Sequence, residues 1–518
     1  MTQKFLRSSV LLIVARVARV AIIAIVVLVA SQALLAQDHT PRVEEAKSRP
    51  AAAPRVVPVP LLLFGTIPVS TRSQEARKFA ELAVDKYENV LMDDAVVQAE
   101  HATEKDHNFA LGYAVLSFTS RRSIPNKVAL ERAKALLPQA TPDEQLMVRW
   151  MTSIQERNLL PAIASMNDLL KRYPKNKHVL YLTSEWLYTQ QDFERSQKML
   201  EYLLQLDPNF PPALNMLGYS YIEAGHPDPA KAVASLKRYI EADPSSPNPE
   251  DSLGEVLRYA GDDQGSLEHY SAALQIDPTF FSSQLGLGDT LALMGRYDEA
   301  RAEYDKAILV SEDKRDLLHA LYQKALVYFW EGHPEQGRDA LAALATQAAE
   351  KKEPNAQFEI AFGAAMLAGG FANELHQLRL LEDKLQNPLD GMSGADRGGA
   401  LAQVLCEETR VAAQHNIRET AEQAITKLAE FAAQSGDLLV GDNYETARGY
   451  LLLSQNDLAN AADELSANRT SPLALQQLAL VQQKSGDTAG ATETLTQLKY
   501  QRAPTVEWYL SSHNTEAR

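Results

Sequence analysis

Apolar positions in the middle of the chain fall on helical faces that alternate in direction. Between Pro247 and Pro278, Leu253 and Leu257 stand four residues apart, one turn of a helix. Ser266, Tyr270 and Ala273 follow at spacings of four and three. Gly254 adjoins the first face, where a missing Cβ lets another helix come close. One unit earlier the same succession reads Leu214, Leu217, Gly218, Tyr221, Gly225, Ala232, Leu236, Tyr239. One unit later it reads Leu287, Gly288, Leu291, Gly295, Tyr297, Ala300, Tyr304, Ala307. The pattern predicts pairs of short helices, each pair too small to bury its apolar face without a neighbour.

Proline sets the register. Tyr173-Pro174, Asp207-Pro208, Asp243-Pro244 and Asp277-Pro278 are 34, 36 and 34 residues apart, and each proline stops a second helix. The two extra residues fall in the turn Gly225 to Pro229, where an insertion leaves packing intact. These residues resemble the tetratricopeptide repeat, a helix–turn–helix unit of about 34 residues. Units are expected to start near Glu75, Phe109, Asp143, Lys177, Pro211, Pro247, Phe281, Leu318 and Glu353. Helices are expected at 400–414 and 419–434, with weaker units at 449–465 and 478–498. The resemblance covers about 75–500, with its clearest matches at 143–345 and divergent stretches near 110–140 and 390–440. It implies an all-α, right-handed superhelical solenoid of antiparallel helix pairs, occupying 73–388 and, as C-terminal repeats, 400–503. Gly-rich 389–399 reads as a loop or hinge and 504–518 as a tail.

The first 37 residues read differently. Lys4, Arg7, Arg16 and Arg19 precede the apolar run Val20 to Ala30, and Ser31, Ala33 and Ala36 supply small residues before Gln37. This fits a secretory signal peptide, and it also fits a short membrane anchor. Either form puts the repeats outside the cytoplasm, in the periplasm or on the outer face of the inner membrane. Residues 38–72 read as a linker, since Pro41, Pro50, Pro54, Pro58, Pro60 and Pro68 forbid a continuous helix. Within it, Val56 to Phe64 is apolar and suited to packing on the first repeat.

Charge narrows the partners. The chain carries −16 overall, yet residues 1–72 carry nine basic and three acidic side chains. That segment is therefore +6 and the remainder −22. A nucleic-acid partner is disfavoured, because phosphate contacts need a basic surface. Cys406 is the one cysteine, so no internal disulfide and no cysteine-rich zinc site exists.

In the resembled family the first helices line a concave groove. Carrying the groove positions over gives Met151, Tyr181, Glu185, Tyr188, Asn215, Tyr219 and Glu223, then Asp251, Glu255, Arg258 and Tyr259, then Asp289, Leu293, Tyr322, Phe329 and Trp330. The resemblance implies a protein or peptide partner, and the carboxylates favour one with basic or apolar segments. Some family members clamp a C-terminal carboxylate with lysine and asparagine or arginine; here those places hold Tyr, Asn, Asp, Glu and Tyr, which disfavours that specificity. No zinc motif, phosphate-binding glycine loop or nucleophile elbow occurs, so no metal, cofactor or catalytic residue is assigned. The reading is a non-catalytic scaffold of the bacterial cell envelope. The alternatives are a self-assembling structural component and, less favoured, an enzyme or carbohydrate-binding accessory in 390–440. The mature protein is expected in the envelope fraction with its N-terminus after Ala33 or Ala36, read by mass spectrometry. An intact Met1 in membranes would mean an anchor, and recovery in the cytoplasm would overturn export.

Overall fold

The computed structural model describes residues 61–120, 123–311, 313–387, 391–435 and 437–513. The basic–apolar start of the chain and the linker through Pro60 lie outside them. The described residues form one short hairpin and 25 α-helices. Strand β1 (Leu61–Leu63) pairs antiparallel with β2 (Ile67–Val69). The helices then run in pairs. The first four are α1 (Gln74–Glu88) with α2 (Met92–Lys105), α3 (Ala110–Thr119) with α4 (Ser123–Leu136), α5 (Pro142–Gln155) with α6 (Leu159–Arg172), and α7 (Lys177–Thr189) with α8 (Phe193–Leu206). The next four are α9 (Pro211–Glu223) with α10 (Pro229–Ala242), α11 (Asn248–Ala260) with α12 (Asp263–Ile276), α13 (Phe281–Leu293) with α14 (Tyr297–Val310), and α15 (Lys314–Trp330) with α16 (Pro334–Lys351). The last four are α17 (Pro354–Met366) with α18 (Phe371–Leu385), α19 (Gly394–Gln414) with α20 (Arg418–Ser435), α21 (Leu438–Ser454) with α22 (Leu458–Leu465), and α23 (Pro472–Ser485) with α24 (Thr488–Lys499). A single helix, α25 (Val506–His513), follows. Partners within a pair pack on each other, and first helices also touch their successors through most of the array. The fold is an all-α helical-repeat solenoid.

Local chemistry explains the repetition. A Cβ on Gly254 would come within 3.0 Å of Tyr270 Cδ1 and 3.2 Å of the Ser266 carbonyl. One on Gly218 would meet Leu236 at 2.6 Å. The glycine is therefore what sets the spacing between the helices of a pair. Asp207, Asp243 and Asp277 cap the ends of α8, α10 and α12 with ψ of 89°, 66° and 102°, outside the helical region that a following proline disfavours. The second helices share a start signal as well. Asp192, Asp228, Asp262, Asp457 and Asp487 each accept a hydrogen bond from the backbone N–H three residues on.

Three expectations change. The described end of the linker is structured: Ile67 and Val69 are fully buried, and Pro68 is tolerated because the hairpin has a free edge. The segment read as a hinge is already helical from Gly394, with Ser393 capping it through the Asp396 N–H. Two of its glycines serve packing, since a Cβ on Gly398 would reach Phe431 at 3.0 Å and one on Gly399 would reach Leu439 at 3.0 Å. The described part of the tail, to His513, holds α25, whose Val506 joins the core with Leu318, Phe329 and Leu473. The divergent stretches also form helix pairs, α3 with α4 and α19 with α20.

The C-terminal repeats return to the middle of the array. Arg502 Nη1 lies 2.7 Å from Asp263 Oδ1, His226 Nδ1 lies 3.6 Å from Glu493, and Arg157 pairs with Asp437. Gly254→Leu should jam α11 against α12 and cost about 1–3 kcal/mol, the usual range for overpacking. Denaturant unfolding of the variant checks this; an unchanged midpoint would refute the register.

Candidate binding cleft

The first helices carry the positions a groove would use, and the structure fills much of that face from within. At the N-terminal end the hairpin lies over them. Phe64 N–H donates to Glu81 Oε1 at 2.9 Å, Asn176 Nδ2 donates to Thr66 Oγ1 at 2.6 Å, and Thr141 Oγ1 donates to the Pro68 carbonyl at 2.6 Å. Glu144 of α5 accepts from Ser70 N–H at 2.6 Å and Leu111 N–H at 3.2 Å. Phe64 stacks on His178, ring centroids 4.2 Å apart.

Further along, the predicted groove residues bind one another. Tyr87 donates to Glu185 at 2.7 Å, and Tyr188 donates to Glu223. Glu255 accepts from Tyr219 at 2.7 Å, Tyr259 at 2.8 Å and Arg258 at 3.0 Å. Arg258 also reaches Asp289 at 2.9 Å, and Tyr304 donates to the other oxygen of Asp289 at 2.9 Å. Ser283 donates to Asp251 at 2.6 Å. Glu223, Asp251, Glu255 and Asp289 are held by donors from the same or an adjacent helix pair, and Glu185 by one three pairs away, so the lattice ties repeats together.

Other expected groove residues are core. Met151 is 1% exposed, Tyr181 and Phe329 are buried, and Leu293 is half-buried. Asn215 is buried with its Oδ1 unpaired. At the C-terminal end α25 covers the remainder. Tyr509 meets Phe329 and Trp330 edge-on at 6.1 and 5.1 Å, and His513 meets Trp330 at 5.5 Å.

An open cleft of about 500 Å³ remains among the described residues. It lies between the inner faces of α9, α11, α15 and α17 and the C-terminal arm formed by α23, α24 and α25. Of the expected residues it brings together Glu223, Tyr259 and Tyr322. Glu359, Phe362 and Met366 belong to the unit near Glu353, from which no groove position is carried over, and Gln323 is missed although it adjoins the expected Tyr322. Sequence reasoning also missed Glu507, which stands in the segment read as a tail. A signal was present there: Val506, Tyr509, Leu510 and His513 repeat at helical spacing.

A family model for the tetratricopeptide repeat matches residues 186–247 and 252–315. Tetratricopeptide repeats are thus found within 186–315, in four helix pairs from α7 to α14. The chain is 27% identical over 132 residues to a UPF0162 protein of Xylella fastidiosa (strain Temecula1 / ATCC 700964). That match spans 25% of this chain and 40% of the relative. Among solved structures, a tetratricopeptide-repeat protein of Parabacteroides merdae is similar at 16% identity and a TM-score of 0.34, over 53% of this chain and 93% of that one. YrrB, a tetratricopeptide-repeat protein with an unusual peptide-binding site, is similar at 17% identity and a TM-score of 0.26, over 35% and 90%.

Burial pushes Glu185, Glu223 and Asp251 up to about 7, against tyrosine or serine donors that act the other way. The folded state therefore holds protons that the unfolded chain releases nearer 4. Stability conferred by the neutral forms is complete below the unfolded values and declines as pH rises towards 7. The thermal midpoint should drop between pH 5 and pH 8. Glu185→Gln and Glu223→Gln should each shrink that drop, while a midpoint that rises over the same interval would refute it.

Proposed function

We propose that this protein is a non-catalytic repeat scaffold of the bacterial cell envelope that holds a protein or peptide partner in the cleft beneath its C-terminal arm. The observation that carries the proposal is the cleft itself. On an inner face largely filled by the hairpin, the tyrosine–carboxylate lattice and α25, about 500 Å³ is left open between packed helices. Rigid walls lower the ordering cost of binding, and exposed aromatic edges offer contact area to a chain segment. The polar groups support holding over turnover: the Glu223 carboxylate already accepts from Tyr188, and Glu507 accepts from Ser471 at 2.6 Å. Export is supported by the basic, apolar and small-residue succession of residues 4–36, as a cleaved signal or an anchor.

A photo-crosslinking residue at Glu359, exposed at the cleft, should capture partner proteins in envelope fractions. The same residue at Leu309, 82% exposed on α14, should not capture them. Equal capture at both positions, or none at Glu359, would overturn the reading.

A further inference from the structure

The cleft has a chemistry of its own. Three carboxylates line it, Glu223, Glu359 and Glu507, and no lysine or arginine does. Two amide oxygens add to the same imbalance. Gln323 is 7% exposed and its Oε1 has no donor, and the Oε1 of Gln501 also has none. A buried acceptor left unpaired costs free energy comparable to a lost hydrogen bond. Both glutamines line the cleft from opposite sides, Gln323 from α15 and Gln501 from the segment after α24. The lining does hold hydroxyls, from Tyr259, Tyr322 and Thr505, and the His319 imidazole, yet these two oxygens receive no donor from the protein.

The remaining walls are apolar. Phe362 and Met366 come from α17, Leu326 from α15 and Val506 from α25. A ligand that fits both features carries several N–H donors and a positive charge at the end of a hydrocarbon stem. Lysine and arginine side chains have that form: the stem lies along apolar surface and the head donates. The volume, about 500 Å³, lies within the range of ligand sites and leaves room for flanking residues.

We propose that the cleft takes a lysine or arginine side chain of a partner peptide, its stem against Phe362 and Met366 and its head among the Gln323 and Gln501 amide oxygens and the Glu507 carboxylate. This rests on the scaffold reading and adds the chemistry of the segment recognised. Neither half of the array makes the site alone, because Gln323 and Gln501 are brought together by the return of the C-terminal arm, which the Arg502–Asp263 pair holds.

Calorimetry on the full chain tests it with capped pentapeptides Ala-Leu-X-Leu-Ala, where X is lysine, arginine, norleucine or glutamate, and with 1,4-diaminobutane as a free amine. The lysine and arginine peptides should bind at least about tenfold tighter than the norleucine peptide. Gln323→Lys, which sets a fixed cation in the cleft, should abolish that preference. Gln501→Lys, at a half-buried position, should weaken it and serves as the second variant, with thermal unfolding recorded for both. Equal affinity for norleucine, a preference for glutamate, or no binding by any peptide would overturn the proposal. Binding of the diamine without the peptides would overturn the peptide source and leave a small-amine site. If the crosslinker at Glu359 captures partners but the preference for basic peptides is missing, the cation site fails and the scaffold reading stands.

Discussion

No helix pair in this protein can bury its own apolar face, and the stacking of one pair on the next is what the structure depends on. Tyr270 shows how tightly that stacking is set. Its ring occupies the space where a Cβ on Gly254 would stand, within its own pair, and also where a Cβ on Gly286 would stand, in the next pair, 2.3 Å from its Cζ. One buried side chain thus fixes two distances at once. The tyrosine at 304 plays the same part against Gly288. Protein interiors are close-packed, so such positions leave no slack for a different spacing.

The inner face follows a second rule. Carboxylates there are desolvated, and a desolvated carboxylate needs donors. Tyrosine hydroxyls and the guanidinium of Arg258 provide them, reaching across pairs from 258 to 289 and from 219 to 255. The hairpin at one end and α25 at the other extend this self-sufficiency. What is left, beneath the C-terminal arm, is a cleft with two glutamine oxygens that no protein donor reaches. Those unpaired acceptors beside apolar walls, rather than the general acidity of the folded part, are the chemical signature of the cleft.

Repeat boundaries were legible in the sequence because proline, glycine and the spacing of apolar residues all act locally. Units near Lys177, Pro211 and Phe281 begin where α7, α9 and α13 begin. The groove was legible only as a set of faces. Whether Glu185 meets solvent or the hydroxyl of Tyr87 depends on a residue 98 positions away, and no local pattern encodes that. The glycines at 398 and 399 misled for a related reason: glycine marks both flexible turns and tight helix crossings, and only the partner, here Phe431 or Leu439, distinguishes them. The hairpin was hidden by Pro68, which breaks helices and sits comfortably on an edge strand.

The return of the C-terminal arm changes how such an array stores its stability. In an open stack each unit answers only to its neighbours, and fraying can begin at either end at modest cost. Contacts from Arg157 to Asp437 and from Asp263 to Arg502 join units far apart in the chain. From Arg157 onward the row closes on itself, and its last units no longer form a free end from which to unzip. Disorder starting in the last units must first break the clasp, so the last repeats share the fate of the central ones.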